Sequence, residues 1–132
     1  MLTELLIRDE TTASLGKTEH TFTVHVSGET ISVRELIRQR VLQEVEEFNN
    51  RQPAVFRMLV QPSEAERTLN GFKFHKPRLV DAVTQYERAL EAFEGNGFIV
   101  IVDDRQIESL DMEIPLRPET SVTFLKLVPL VG

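Results

Sequence analysis

The clearest chemical group in this sequence is Gly132, which follows the run Ser121-Val-Thr-Phe-Leu-Lys-Leu-Val-Pro-Leu-Val. The run predicts a strand that continues into a short apolar tail. Because glycine has no Cβ, such a tail can thread a narrow channel, and an activating nucleotide can approach a carboxylate at Gly132. The chemistry that these residues suggest is acyl activation of that carboxylate. The alternative is a frayed chain end.

Histidines and short motifs predict no catalytic or zinc site. His20, His25 and His75 lack the i, i+4 spacing of a helical zinc site, and the chain has no cysteine. We expect His25 to be an exposed strand residue. The sequence has neither a glycine-rich phosphate loop nor a serine nucleophile elbow. We therefore expect no catalytic residue and no metal, in a protein that is not itself an enzyme.

Four carboxylates follow one another at Asp103, Asp104, Glu108 and Asp111. Oxygen ligands in this number could bind a hard cation. We interpret them instead as a solvated acidic turn, because aspartate favours turns through hydrogen bonds to the local backbone.

The elements that would position the tail begin with the C-terminal half. Residues Phe98 to Asp111 predict a strand, a tight turn at Asp103-Asp104 and a short return strand. The N-terminal half predicts a long hairpin from Leu2–Asp9 and Thr21–Ser27. In its second strand, apolar residues alternate with polar ones, which indicates one buried face. These apolar residues are Phe22, Val24 and Val26.

A helix is predicted to start at the capping box Ser32-Val-Arg-Glu35. Its apolar residues recur at helical spacing and would lie as one stripe across a sheet. The stripe consists of Val33, Ile37, Val41, Val45 and Phe48. The solvated face of the helix is expected to carry Glu44, Glu46 and Glu47.

Residues Arg51 to Asn96 form a long insertion between this helix and the next strand. Periodicity allows Ala54–Val60 to be either a strand or a buried helical turn, and we favour a continuation of the first helix. A short helix or ordered loop is expected at Pro62–Leu69. A second helix is predicted over Leu79–Glu94, ended by Gly95-Asn96-Gly97. Its buried seam would consist of Leu79, Val83, Tyr86, Leu90 and Phe93.

Basic residues within the insertion alternate with Phe72 and Phe74. We expect the two aromatic rings to pack under the inserted helix while Lys73, Lys76 and Arg78 stay solvated. Nucleic-acid binding at this segment, or docking of a protein partner, are the alternatives.

The order hairpin, helix, strand, turn, short strand, strand and tail resembles the β-grasp ubiquitin-like family, which includes ubiquitin and the bacterial sulfur carriers. In the carriers the chain typically ends in proline, two small or apolar residues and two glycines, and Pro129-Leu130-Val131-Gly132 matches this pattern up to the penultimate glycine. The resemblance implies an α+β fold, a mixed β-grasp sheet crossed by a helix. The chain would be a single domain, 1–132, with a helical insertion at 51–96 between the first helix and the third strand.

The resemblance also implies a function. A ubiquitin-activating-type enzyme would use ATP to adenylate the carboxylate of Gly132, with Pro129, Leu130 and Val131 recognised as the tail, and no cofactor would be permanently bound. The chain would then be a protein modifier or a sulfur carrier. A conjugating enzyme, a deconjugating protease and a target protein are the further partners of a modifier. The alternative is a β-grasp binding or scaffold module whose tail is never activated.

Family members also meet partners through an apolar patch on the sheet. Here the candidates are Phe124 and Leu127 with Ile107 or Leu110, although the alternation along the last strand also allows some of them to be core residues.

Composition sets the remaining expectations. The chain has 132 residues, 41% of them hydrophobic, and no cysteine, which fits one compact domain in a reducing compartment. Neither a signal peptide nor a membrane-spanning run is evident, so we expect a cytoplasmic protein without a membrane partner. The net charge of -6 argues against nucleic acid as a partner.

Overall fold

The computed structural model describes residues 2–13, 17–18, 20–69 and 71–127, and has an α+β fold. The predicted tail residues 129–132 lie outside this range. The described residues form two compact units, which we call the sheet unit (within 1–36 and 93–132) and the inserted unit (within 37–92). The elements are β1 Leu2–Thr11, β2 His20–Ser27, β3 Thr30–Ser32, α1 Val33–Arg51, β4 Glu66–Thr68, β5 Gly71–Lys73, α2 Ala82–Glu94, β6 Phe98–Val102, β7 Arg105–Ile107, β8 Glu113–Pro115 and β9 Val122–Lys126.

A mixed five-stranded sheet is the main feature of the sheet unit, with strand order β2-β1-β9-β6-β7. The pairing of β1 with β9 is parallel, and the other three pairings are antiparallel. The predicted hairpin of β1 with β2 and the predicted strand-turn-strand of β6 and β7 are therefore confirmed. In β2, Phe22, Val24 and Val26 are buried, whereas His25 is exposed, as the alternation predicts.

Helix α1 begins as the capping box predicts. The Ser32 Oγ accepts a hydrogen bond from the backbone N–H of Glu35 at 3.1 Å, and the first helical residue is Val33. All five residues of the predicted apolar stripe are buried. The solvated face is predicted correctly for Glu46 and Glu47, which are exposed, but not for Glu44. The Glu44 side chain is only 10% exposed.

The predicted continuation of α1 through Ala54–Val60 is wrong. The helix ends at Arg51, where Gln52 has a left-handed φ of 43° and donates its N–H to the Phe48 carbonyl at 2.6 Å. Pro53 follows and has no N–H with which to continue the helix. Further along, Phe56 forms an isolated antiparallel bridge with Phe72.

A β-hairpin stands where the sequence suggested a short helix or ordered loop. Strand β4 pairs antiparallel with β5 in the register Glu66↔Lys73, Arg67↔Phe72 and Thr68↔Gly71. The insertion therefore contains both helix and strand. Backbone N–H and C=O groups in its strand part find hydrogen-bond partners across the hairpin and between Phe56 and Phe72.

Helix α2 begins three residues later than predicted. The Asp81 carboxylate accepts hydrogen bonds from the Thr84 hydroxyl at 2.7 Å and the Thr84 N–H at 2.9 Å, which caps the helix. These two hydrogen bonds lower the pKa of Asp81 from its ordinary value of 3.8, and the bond from the Thr84 hydroxyl makes the larger contribution. The cap thus fixes Ala82 as the first helical residue.

The predicted apolar seam of α2 is also partly wrong. Leu79 and Val83 are 66% and 64% exposed, and the buried positions of the helix are Gln85, Ala89 and Phe93. Gln85 can be buried because its amide donates a hydrogen bond to the Val60 carbonyl at 2.7 Å. A polar residue with a partner therefore replaces an apolar one on the buried face.

Candidate functional site

The candidate site begins where β9 leaves the middle of the sheet. The last ladder residue, Lys126, lies opposite Thr11 on β1 and Phe98 on β6. The carbonyl of Lys126 accepts the Thr12 N–H at 3.1 Å, and the next N–H, of Leu127, donates to Gly97 at 3.2 Å. Backbone hydrogen bonds on both sides therefore fix the point from which the chain continues toward the tail.

Two of the residues that the sequence suggests for a partner surface are core residues. Phe124 is 0% exposed, and its ring stacks on that of Phe98 with centroids 5.7 Å apart. Leu110 is also buried, at 7% exposure. Ile107 is half-buried, and Leu127 is 40% exposed. The predicted surface is thus wrong for Phe124 and Leu110.

The other face of the sheet presents a different apolar set. Ile99 lies opposite Leu125, and Ile101 lies opposite Thr123, on the side of the strands that faces away from Phe124. Ile99, Ile101 and Leu125 are half-buried. On the same face of β1, Leu6 is 46% exposed. We call Leu6, Ile99, Ile101 and Leu125 the outer apolar row.

Sequence reasoning missed this row because β6 is apolar at all five positions, Phe98–Val102. A continuous apolar run does not tell which residues face the core. The register between β6 and β9 shows which β6 residues face the core, because the buried Phe124 pairs with the buried Val100. The available signal was the polar Thr123 between two apolar residues of β9.

Polar side chains surround the outer apolar row. Arg8 donates a hydrogen bond to the Ser121 Oγ at 3.2 Å. His25 and Glu4 approach to 3.2 Å across β2 and β1, and both are mostly exposed. Over the full sequence ranges of the sheet unit, thirteen Asp and Glu stand against six Lys and Arg. The sheet unit is therefore strongly acidic, and a partner with basic residues would complement it.

An open depression of about 510 Å³ lies near the start of β6 and the end of β7. Ile107 and Leu110 both line it, together with Phe93 and Phe98. Arg34 and Asp111 also line it, and the Arg34 guanidinium pairs with the Asp111 carboxylate at 3.4 Å. The depression is therefore lined by both apolar and charged side chains.

Asp103, in the acidic turn after β6, has structural partners. Asp103 and Asp104 occupy the turn to β7 with φ of 48° and 66°, as a type I′ hairpin requires. The Asp103 carboxylate accepts the Ser121 N–H at 2.9 Å, and the Asp103 N–H donates to the Ser121 carbonyl at 2.9 Å. Among the described residues, no cluster of three or more His, Asp or Glu could hold a metal ion.

The basic segment of the inserted unit is exposed at Lys73, Lys76 and Arg78. Arg78 pairs with Glu64 and lies over the Phe74 ring, 5.5 Å from its centroid. The rings of Phe72 and Phe74 are half-buried and form a cluster with those of Phe48 and Phe56. The cluster has centroid distances of 4.4 Å for Phe48–Phe56, 5.4 Å for Phe56–Phe74, 5.7 Å for Phe48–Phe74 and 6.1 Å for Phe56–Phe72.

Sequence reasoning also missed a buried ion pair in α1. The Arg40 guanidinium, 1% exposed, approaches the Glu44 carboxylate at 3.5 Å. The other Glu44 oxygen accepts the Leu59 N–H at 3.2 Å. The i, i+4 spacing of arginine and glutamate was visible in the sequence, but such pairs are usually found on helix surfaces. Here the pair holds the segment that follows α1.

Comparisons with protein-family models, curated proteins and solved structures give no match to this chain. In the part of the chain that the structure describes, neither helix has the length and apolar content needed to cross a membrane.

Proposed function

We propose that the sheet unit is a ubiquitin-like β-grasp domain, and that the chain is a protein modifier or sulfur carrier activated at a glycine carboxylate of its tail. The observation that carries the proposal is the parallel pairing of β1 with β9 at the middle of the sheet. Strands β2 and β6 flank this pair with antiparallel register, so the sheet is mixed, which is compatible with the β-grasp sheet that we propose.

The position of β9 supports a role for the residues that follow it. The chain continues from a point held by Thr12 and Gly97, so the tail is attached to a rigid base. Pro129 favours an extended backbone through its fixed φ. The proposal requires that the natural protein expose a glycine carboxylate, either at Gly132 or at a glycine that follows it.

The proposed chemistry uses ATP bound by a partner enzyme. A carboxylate is a poor electrophile, and its oxygen attacks the α-phosphate of ATP to give an acyl adenylate and pyrophosphate. Attack by a cysteine thiolate of a partner enzyme on the acyl carbon then releases AMP and forms a thioester, whereas attack by a hydrosulfide ion releases AMP and forms a thiocarboxylate. This chain supplies the acyl group, the partner would recognise Leu130 and Val131 in the tail sequence, and the partner supplies the catalytic residues.

The first step is common to protein conjugation and sulfur donation. The inserted unit favours a modifier, since a sulfur carrier needs little beyond its fold and tail. An additional surface on a modifier provides a means of selecting conjugating enzymes, proteases and targets.

Mass spectrometry of the C-terminal peptide tests the proposal. An N-terminally tagged full-length protein is recovered from its source cells under denaturing conditions. A terminal glycine in isopeptide linkage would establish a modifier, and a thiocarboxylate would establish a sulfur carrier. A free carboxylate under all conditions would reject both.

The second candidate is a β-grasp binding module without tail activation, and the outer apolar row favours it. Deletion of Gly132 abolishes the function of a carrier but leaves that of a binding module intact. Conversely, Ile101→Glu on the outer face abolishes the function of a binding module. Both variants are first compared with the wild type by circular dichroism to show that they fold.

A further inference from the structure

The inserted unit differs from the sheet unit in charge. Over residues 37–92, nine Lys and Arg stand against eight Asp and Glu, whereas the sheet unit has six against thirteen. Residues 67–78 hold four of the cationic side chains and contain no Asp or Glu. This segment is therefore locally basic in an acidic protein.

Four exposed cations lie around the antiparallel bridge between Phe56 and Phe72. One follows each bridged residue along the chain, one lies opposite Phe72 in the hairpin, and one comes three residues after the end of β5. These residues are Arg57, Lys73, Arg67 and Lys76. None of the four forms an ion pair with another residue that the structure describes. We call them the basic surface.

Two carboxylates of the inserted unit already approach this segment. The Glu66 carboxylate pairs with the His75 imidazole at 3.1 Å, and Glu64 pairs with Arg78. All four side chains are exposed by 43% or more. Carboxylates therefore reach this part of the chain from the solvent side, where the basic surface offers further cations.

Two exposed apolar side chains lie at the turn of the same hairpin. Leu69, directly after β4, is 98% exposed, and Val55 is 47% exposed. A Cβ at Gly71 would lie 3.6 Å from the Val55 Cγ1, so Val55 is beside the turn. A ligand of this surface would thus gain from apolar groups as well as from carboxylates.

We propose that the basic surface, together with Leu69 and Val55, binds an acidic segment of a partner protein that carries apolar residues among its Asp and Glu. Charges of opposite sign steer such a complex together and fix its orientation. The proposal concerns the inserted unit alone and does not depend on activation of the tail.

The aromatic rings of the hairpin argue against nucleic acid as the ligand. Single strands bind proteins by stacking their bases on exposed rings. The rings of Phe72 and Phe74 are half-buried. The guanidinium carbons of Arg67 and Arg78 lie over them, 5.8 Å and 5.5 Å from the respective centroids. Little ring surface is left for a base, and the net charge of -6 repels phosphates.

Amide NMR spectra of the full chain, titrated with a synthetic peptide of Glu and Ser with two Leu at about 50 mM salt, test the proposal. Saturable shifts are expected for amides within 55–57, 67–69 and 72–76. Lys73→Glu should weaken binding by about three- to tenfold. Lys17→Glu is the matched control, because it makes the same change at an exposed lysine of the sheet unit, and it should alter the affinity by less than about twofold.

Two further comparisons separate the contributions of charge and apolar contact. Glu64→Gln should strengthen binding by about twofold, because it releases Arg78 for the peptide. A peptide in which Ser replaces both Leu should bind the wild type more weakly, and Leu69→Ser should then have no additional effect. Circular dichroism shows first that each variant folds, and Lys76→Glu takes the place of Lys73→Glu if the latter does not.

Three results would overturn the proposal. Shifts confined to the sheet unit, or equal affinities of Lys73→Glu and Lys17→Glu, would show that the basic surface does not bind the peptide. Tighter binding of an oligothymidine of equal charge at the same amides would make nucleic acid the ligand. Shifts of these amides on dilution without peptide would assign the surface to the acidic sheet unit of a second copy.

Discussion

Asn49 and Val80 exchange two hydrogen bonds, so that one side chain pairs with a backbone as a neighbouring strand would. The Asn49 Nδ2 donates to the Val80 carbonyl at 3.0 Å, and the Val80 N–H donates to the Asn49 Oδ1 at 2.8 Å. Val80 is 8% exposed, so water has little access to its backbone. The pair holds the segment just before α2 against α1 within the inserted unit.

Replacement of Asn49 by alanine should lower the free energy of unfolding by about 1–3 kcal/mol, because two polar backbone groups of Val80 lose their partner. Urea denaturation measures the change. Asn50→Ala is the matched control, since Asn50 is the exposed neighbour in the same helix turn, and its effect should be within about 0.5 kcal/mol. Equal losses in both variants would show that the reciprocal bonds contribute nothing.

Phe124 and Leu125 should differ sharply, because they lie on opposite faces of β9. Phe124→Ala leaves a cavity against Phe98 and should cost about 3–5 kcal/mol. Leu125→Ala removes a half-buried side chain from the outer face and should cost about 1 kcal/mol. Thermal and urea unfolding of the two variants compares them. A larger loss of stability for Leu125→Ala would contradict the assignment of Phe124 to the buried face of β9 and of Leu125 to its outer face.

Gly71→Ala should destabilise the β4–β5 hairpin. Gly71 has a φ of 152°, and a Cβ at this position would lie 2.3 Å from the Phe56 carbonyl oxygen. Strain of this kind costs about 1–3 kcal/mol, and the clash would also open the bridge between Phe56 and Phe72. Gly28→Ala is the control, because its φ of 100° is also unfavourable but its nearest neighbour is 3.9 Å away.

We expect the wild type to be the most stable, Gly28→Ala to be less stable and Gly71→Ala to be the least stable. Amide exchange should locate the additional loss in Phe56 and Phe72. Protection of these two amides that survives in Gly71→Ala would mean that the hairpin shifts to accommodate the methyl group.

The Asp81 cap should give the protein a contribution to stability that depends on pH. Hydrogen bonds from Thr84 lower the pKa of Asp81 below its ordinary 3.8, so the folded state favours the ionised carboxylate. The contribution is therefore fully present above pH 3.8 and is lost as the pH falls through the lowered pKa of the folded state. Asp81→Asn keeps a side chain that can cap the helix but cannot ionise.

Denaturation of the wild type and of Asp81→Asn at a series of pH values separates the two effects. The stability difference between them should be constant near neutral pH and should shift against the wild type as the pH falls below 3.8. Thr84→Val, which removes the hydroxyl donor, should weaken this pH dependence. A difference that is independent of pH throughout would contradict the role of the carboxylate charge.

The sequence predicted the elements whose signals are local. The capping box at Ser32 marked the start of α1, and the alternation of Phe22, Val24 and Val26 marked β2 and its buried face. In both cases the element can be predicted from its own residues, because a helix cap and the two-residue alternation of a strand involve only residues close in sequence.

Errors occurred where a distant partner decides the outcome. The buried position of Gln85 depends on the Val60 carbonyl, 25 residues earlier, and the bridge at Phe56, after the end of α1, depends on Phe72. The inward orientation of Phe124 depends on its register to β6. No window of the sequence contains both members of these pairs, so pattern alone assigns the wrong face or element.

The parallel ladder between β1 and β9 also determines how the chain resists a mechanical pull. Its five residue pairs run from Ile7↔Val122 to Thr11↔Lys126. A force that draws the end of β9 away from the start of β1 slides the two strands along each other, which loads these pairs in shear. The backbone bonds of the ladder then share the load and fail together, unlike the bonds of a hairpin peeled from its end. A machine that extracts this protein by its tail would meet its greatest resistance at the first step.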